Sequence, residues 1–347
     1  MDESPVNIDY TRSLPKIELH AHLTGSITPQ VLHSIWQQLK EDGSDISLDD
    51  PLERLSKERP WNIQTFFPLF SSYIYALIST REAIISSTNS VLYDFWADGV
   101  IYLELRTTPR SSDSVSKQEH VAAILDCIES FEHKASMSTY LILSIDRRNT
   151  LKQAQKVVEL ALKFRNRGVV GIDLCGDPSK GDVSIFAPAF IEAKKAGLKV
   201  TLHFAEVPQS STFAELETLL TFQPDRLRHV ICVPEEVKSE IERRKLVIER
   251  RKLVVELCVT CNVQAGLTED GVEGHHFAAW YGQGSPVILC TDDVGIFGSK
   301  LSNEYLLVAQ HFGLNRKQLR HLCYEGIDAI FGGEHEKDRL RQRIRPT

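Results

Sequence analysis

Two histidines one residue apart, His20 and His22, close the run Lys16-Ile17-Glu18-Leu19-His20-Ala21-His22, in which Ile17, Leu19 and Ala21 alternate with polar residues. A period of two is that of a β-strand, and it places both imidazoles on one face. Converging neutral imidazoles suit a borderline divalent ion such as zinc. Further along the chain stand His203-Phe204-Ala205-Glu206, a single His229, and Thr291-Asp292-Asp293. Two adjacent buried aspartates repel each other unless a cation or hydrogen-bond donors compensate. Three histidines, a carboxylate and an open position make a mononuclear catalytic zinc site, one ion per subunit, of the kind that lowers the pKa of a bound water. Glu206, three residues past His203, supplies a carboxylate that can give or take a proton.

Such residues must be carried to one place by regular elements. Eight apolar runs read as strands: Lys16–His22, Val100–Thr107, Thr139–Asp146, Val169–Leu174, Leu198–Phe204, Leu227–Val233, Leu253–Val259 and Pro286–Thr291. Helical periodicity fills the intervals over Pro29–Leu39, Ile63–Leu77, Arg81–Trp96, Lys117–Lys134, Leu151–Asn166, Ile185–Lys195, Thr212–Thr221 and Glu235–Arg244. Near-continuous apolar strands separated by helices imply parallel pairing with both faces covered. Eight strand–helix units point to an α/β fold, a (β/α)₈ TIM-type barrel with metal-dependent hydrolase architecture. A doubly wound sheet is disfavoured because no G-x-G-x-x-G follows any strand. In a barrel the reacting groups sit at the C-terminal ends of the strands, where the histidines and carboxylates above fall. Extra helical sequence after strand one, Glu41–Tyr93, reads as an insertion near the mouth and a lid. Residues 1–347 form one domain, with 1–13 expected as a flexible N-terminal tail. A tandem heptapeptide, Glu242–Ile248 and Glu249–Val255, precedes strand seven, and its second copy is expected to be that strand because Glu256-Leu257-Cys258 continues it.

Composition narrows the setting. In 347 residues, 42% apolar and 25% charged residues describe a globular chain with a sizeable core. A net charge of −7, from 40 basic and 47 acidic residues, gives no reason to expect nucleic acid or an anionic membrane as partner. The start MDESPVNIDYTRS is acidic and polar, and no run reaches the roughly 18 apolar residues of a membrane span. Neither a secretory signal nor a span is therefore expected. Seven scattered cysteines fit reduced thiols in a cytoplasmic protein, and a monomer is expected.

Lys16–Gly25, Gly171-Ile172-Asp173-Leu174-Cys175-Gly176-Asp177, His203–Glu206 and Thr291–Asp293, in this order, resemble the adenosine/AMP deaminase family over nearly the whole chain. That resemblance implies a zinc-containing barrel that hydrolyses the 6-amino group of an adenine nucleoside or nucleotide. It assigns zinc to His20, His22, His203 and Asp292. Glu206 would protonate the purine ring nitrogen beside the reacting carbon, and His229 would orient and deprotonate the water, with Asp293 holding the nucleophile or the base. Gly176 would let the backbone approach the purine edge. Two-metal barrel relatives use a lysine at the end of strand four; none stands here before Lys180, which favours one metal.

Nucleoside-specific members carry aspartate where Thr24 stands, and aspartate would repel a 5′-phosphate. Thr107-Thr108-Pro109-Arg110, Asp146, His275-His276-Phe277 and Cys290–Asp293 resemble the branch that acts on N6-methyl-AMP, releasing methylamine and leaving IMP. Thr24, Thr107, Thr108, Pro109, Arg110, Asp146, Gly176 and His22 then become nucleotide contacts by resemblance, with Glu206 and Asp293. An adenosine or AMP deaminase, and a catalytically impaired nucleotide-binding paralogue, are the alternatives. Two departures stand out. Relatives usually have glycine immediately before the strand-six histidine, where this chain has Arg226-Leu227-Arg228-His229; Arg228 is expected to point away from His229, toward the helices. Cys258-Val259-Thr260-Cys261 is a C-x-x-C with no second pair, for which no metal or redox role is expected.

Overall fold

The computed structural model describes residues 4–43, 47–57, 63–237, 239, 253–282 and 286–344. Eight parallel strands pair in chain order: β1 (Lys16–His22), β2 (Val100–Thr107), β3 (Ser138–Asp146), β4 (Val169–Cys175), β5 (Lys199–Phe204), β6 (Arg226–His229), β7 (Val254–Leu257) and β8 (Val287–Leu289). The barrel closes where Ala21 of β1 meets Asp292 just past β8. There the Asp292 N–H donates to the His20 carbonyl at 2.8 Å and the His22 N–H to the Asp292 carbonyl at 3.0 Å. Glu18 ties the same seam, accepting from the His20 and Thr291 N–H groups at 2.8 and 3.0 Å. Burial pushes its carboxyl up to about 8, so it sits in the seam protonated at neutral pH.

The strands are buried on both sides, which is why most read as continuous apolar runs. Many of the intervening helices begin on a side-chain cap: Thr28, Thr80, Ser116, Thr150, Thr212 and Asn315 each accept a backbone N–H three residues on. After β8 the chain adds helices Leu301–Phe312, Arg316–Ala329 and Glu334–Arg343, which strand-by-strand reading did not assign. Gly326 of the second of these faces Ile17 and Ile288, which a methyl there would meet in ordinary van der Waals contact at 3.4–3.6 Å.

Below the mouth the barrel is filled by charge rather than by branched aliphatics. Arg106 of β2 pairs with Glu256 of β7 at 2.6 Å and with Asp173 of β4 at 3.6 Å. Arg226 of β6 pairs with Glu104 of β2 at 2.5 Å and Glu256 at 2.6 Å. Arg226 and Glu256 stand on adjacent strands, whereas the other pairs join strands that are not neighbours and so span the barrel axis.

Several sequence expectations change in detail. Ile8–Ser13, expected within the tail, form a short helix capped by Asn7. The buried Lys16 ammonium holds its end, donating to the carbonyls of Thr11, Arg12 and Leu14 at 2.9, 3.0 and 3.1 Å. β6 ends at His229, not Val233, because His229 and Val230 turn left-handed at φ 61° and 51°. β7 starts at Val254 and a helix, Val259–Gln264, follows it. Among the described residues, Val254 and Val255 of the second heptapeptide lie in the strand and Leu253 just precedes it; residues 242–252 and most of Glu235–Arg244 fall outside the described residues. The insertion is helical: Pro51–Lys57, Ile63–Leu69, a π-turn at Phe70–Ile74 just after Pro68, and Tyr75–Leu77. Phe66 of this insertion stacks on Phe297 beyond β8 with centroids 5.3 Å apart, placing it over the mouth.

Candidate active site

The ends of β1, β5, β6 and β8 converge. Ring centroids of His20, His22, His203 and His229 lie 5.2–5.5 Å apart for the five contacting pairs. Asp292 Oδ1 is 3.1 Å from His20 Nε2 and 3.5 Å from His22 Nε2. Two sets of candidate ligand atoms, each within 4.8 Å of one another, result: His20 with His22 and Asp292, and His20 with His203 and His229. Three of the turns that aim these groups use left-handed backbone on residues with a Cβ, at Ala205 (φ 51°), His229 (φ 61°) and Asp292 (φ 64°). Such conformations are disfavoured and recur at functional sites.

Protonation follows burial. His20, His22 and His229 are held well below the ordinary histidine range, chiefly by desolvation and then by neighbouring cationic groups. His203 is opposed by burial, yet Asp173, 3.4 Å from its Nδ1, moves it upward. Its Nδ1 sits 2.6 Å from the Leu174 carbonyl, which must accept, so Nδ1 carries the proton. Glu206 is pushed up to about 7 by burial, and its Oε1 lies 3.9 Å from His229 Nε2. Asp293 is raised well above the carboxylate range by burial, then by Asp292 and Glu206.

The donors fit a divalent ion: neutral imidazoles and a carboxylate, with His203 oriented by a backbone carbonyl. One side chain contests the place. His203 of β5 is in register with Arg228 of β6, and residues paired in parallel register face the same way, so Arg228 points into the barrel. The expectation that it faces the helices is wrong, because it took His229 to keep the strand alternation. The left-handed turn at His229 instead brings that ring back to the side Arg228 already occupies. Arg228 Nη2 lies 2.9 Å from His22 Nε2 and contacts His203 Nε2 as well. A guanidinium can only donate, so both nitrogens are unprotonated acceptors.

His229 is held by a residue that strand reading missed. Its Nδ1 is 3.3 Å from Asn262 Oδ1, and Asn262 Nδ2 is 3.0 Å from His275 Nε2. Asn262 lies in Val259–Gln264, beside Cys261, whose thiol donates to Asp292 Oδ2 at 3.0 Å. The cysteines of the C-x-x-C are thus partners of the histidine–aspartate cluster, Cys258 standing 3.5 Å from His20 Nδ1. All seven cysteines are free. Asp293 packs on the turn after β1: a methyl at Gly25 would sit 1.4 Å from its Oδ1, so only glycine fits there. The buried Thr24 lies in that same turn.

A cavity of about 340 Å³ opens where the chain leaves β2 and β3, lined by Tyr75, Ile78, Ser79, Ile84, Thr108, Pro109, Arg110, Ser111, Ser112, Val115, Lys117, His120, Asp146 and Asn149. It gathers Thr108, Pro109, Arg110 and Asp146 of the expected nucleotide contacts; Thr24, Thr107, Gly176, His22, Glu206 and Asp293 do not line it. Arg110 stacks on Tyr75, its guanidinium carbon 3.8 Å from the ring centre, and no carboxylate pairs with it among the described residues. Asp146 is already neutralised by Arg148, at 2.8 and 2.6 Å. Gly176, at φ +96°, is demanded by Asp146, which a methyl would meet at 2.8 Å. Tyr75, Lys117 and His120 joined the cavity only through the fold.

With this geometry in view, comparison with known proteins is decisive. A profile of the adenosine deaminase family matches residues 15–347. The chain belongs to the adenosine deaminase family. It is accordingly a hydrolytic deaminase. An N6-methyl-AMP deaminase from Bos taurus is 35% identical over 99% of this chain and 97% of its own length. The crystal structure of the Arabidopsis N6-mAMP deaminase superposes with a TM-score of 0.88 at 36% identity, covering 97% of this chain and 99% of that one. An Arabidopsis relative solved as a complex with IMP gives a TM-score of 0.89 at 36% identity, over 97% of each chain.

Proposed function

We propose that this deaminase hydrolyses the exocyclic amine of an N6-substituted AMP, N6-methyl-AMP and water giving IMP and methylamine. The observation that carries the reading is the Arg110 cavity. It offers a guanidinium without a carboxylate partner among the described residues, Lys117, and the hydroxyls of Thr108, Ser111 and Ser112, while its one aspartate is tied to Arg148. Such a set suits a phosphate, and arginine recognises phosphate through paired N–H donors. The neutral Thr24 leaves the mouth without the charge that would repel it. The similarity to N6-methyl-AMP deaminases over almost the full chain supports the same substrate.

His20, His22, His203 and Asp292 would hold zinc, which when bound supplies a Lewis acid that acidifies water. The chain's own residues do the rest. Glu206 gives its proton to the purine ring nitrogen next to the carbon under attack, which draws charge out of the ring. His229, neutral and steadied by Asn262, accepts the proton of the attacking water. Asp293, holding its own proton, donates a hydrogen bond toward the reacting centre. The Phe66–Phe297 contact narrows access of bulk water. This site lies in a chain with no helix long and apolar enough to cross a membrane among the described residues. We read the protein as cytoplasmic and monomeric.

The reading is checked by turnover of N6-methyl-AMP, AMP and adenosine at equal zinc loading. N6-methyl-AMP is expected to have the highest kcat/KM; faster turnover of adenosine would overturn the assignment. Arg110→Ala should raise KM for the nucleotide by about 10- to 100-fold, from loss of a charged contact, and leave adenosine unaffected. Equal losses on both substrates would remove Arg110 from the phosphate site.

A further inference from the structure

Arg228 is the side chain that the deaminase chemistry does not absorb, and it lies inside the cluster of expected ligands. Its guanidinium is wholly buried and anchored from below, with Nη1 3.2 Å from Asp173 Oδ2 and Nε 3.8 Å from Glu256 Oε2. From there Nη2 reaches the acceptor nitrogens of His22 and His203. Those lone pairs can serve an N–H or a metal ion, but not both at once.

The charge beneath the site points the same way. Three buried cations, Arg106, Arg226 and Arg228, face three buried carboxylates, Glu104, Asp173 and Glu256. Arg228 completes that balance without a metal. A divalent ion seated among the same histidines would face a guanidinium at contact distance in a low-dielectric interior, where like charges repel strongly. With glycine at 228, neither the cation nor the donor would be there.

We propose that Arg228 is an internal competitor for the metal: its guanidinium occupies the cation position between His22 and His203, and zinc enters only when that side chain withdraws. The protein therefore holds zinc far more weakly than its ligand set would allow, and its deaminase activity depends on the zinc supplied. This rests on the reading of His20, His22, His203 and Asp292 as the metal ligands. It makes residue 228 the position that sets metal affinity in this chain.

The test is a zinc titration of full-length protein stripped with chelator, using competition with a chromogenic chelator for affinity and elemental analysis for content. Arg228→Gly is expected to bind zinc at least ~100-fold more tightly than the unaltered chain, the scale of losing one partner from a buried charge cluster. The unaltered chain should retain well under one zinc per chain after dialysis. Equal affinities, or one zinc retained by the unaltered chain through dialysis, would overturn the proposal. Should Arg228→Gly fail to fold, the unaltered chain still decides through anomalous diffraction from zinc-soaked crystals. A displaced guanidinium supports the proposal, and zinc on His22 and His203 with Arg228 in place overturns it. Turnover of N6-methyl-AMP by the zinc-loaded Arg228→Gly chain separates the two readings. Tight zinc without turnover would sink the substrate assignment and leave the competitor standing, whereas turnover with stoichiometric zinc in the unaltered chain would do the reverse.

Discussion

Glu206→Gln, assayed with zinc in excess, is expected to lower kcat by roughly 10³-fold while changing KM little, the scale of removing a general acid–base group. The amide keeps the shape and the hydrogen-bonding reach of the carboxyl but has no proton to transfer. A pH profile adds a second readout. Burial holds the Glu206 carboxyl at about 7, well above its ordinary value. As the proton donor it must be protonated, so kcat/KM should be level below about pH 7 and fall tenfold per unit above it, a limb that Gln abolishes. The stability effect has a matching sign. A carboxyl whose folded pKa is raised keeps its full contribution below the unfolded value, and loses it as pH rises through the folded one. Glu206→Gln should therefore be more stable than the parent above pH 7 and no more stable at pH 4. Near-parental kcat in this variant would remove Glu206 from the mechanism, and with it the assignment of the strand-five motif.

The largest stability effect is expected in the layer beneath the site. Arg226 donates to the Ala329 carbonyl at 2.8 Å, pairs with Glu104 and Glu256, and lies 3.5 Å over the Phe331 ring. Methionine in its place keeps most of the volume but leaves two carboxylates short of a cation in a sealed interior. Breaking a buried pair from one side costs about 3–5 kcal/mol. For a chain of this size the midpoint of thermal unfolding should fall by roughly 4–7 °C. Adding Glu104→Gln should restore part of the loss by removing one stranded charge, and circular dichroism melts of the single and double variants measure both. A drop of less than about 2 °C in the single variant would mean that solvent reaches this layer.

Both predictions concern residues on one inner face, and the sequence revealed them unequally. β1 and β2 are found at the boundaries their alternation and apolar runs set, because a strand buried on both sides writes its limits in composition. The helices of the middle of the chain follow their caps and periodicity, as at Ser116 and Thr150. β6 to β8 are shorter than their apolar runs, since Val230, Val233 and Val259 stay buried after the backbone has left the strand. A buried turn and a buried strand look alike in composition. The insertion was recognised, but the π-turn after Pro68 was not, nor were the helices closing the barrel after β8.

For the site, residue type and spacing placed His20, His22, His203, Glu206, Asp292 and Asp293 at or just past strand ends and His229 within strand six, and every strand of such a barrel ends on one rim; only the structure ends β6 at His229. Asn262, Tyr75, Lys117 and His120 had no such marker; they reach the site through loops and helix starts, whose direction only the packed chain fixes. Arg228 shows the division most clearly. The sequence identified it as a departure and, from strict alternation, sent it outward. Alternation fixes only that neighbours on a regular strand face opposite sides. It cannot say which neighbour keeps the strand conformation. The left-handed turn at His229 and the register of Arg228 with His203 are tertiary facts, and they set a guanidinium among the histidines that type and spacing had reserved for a metal.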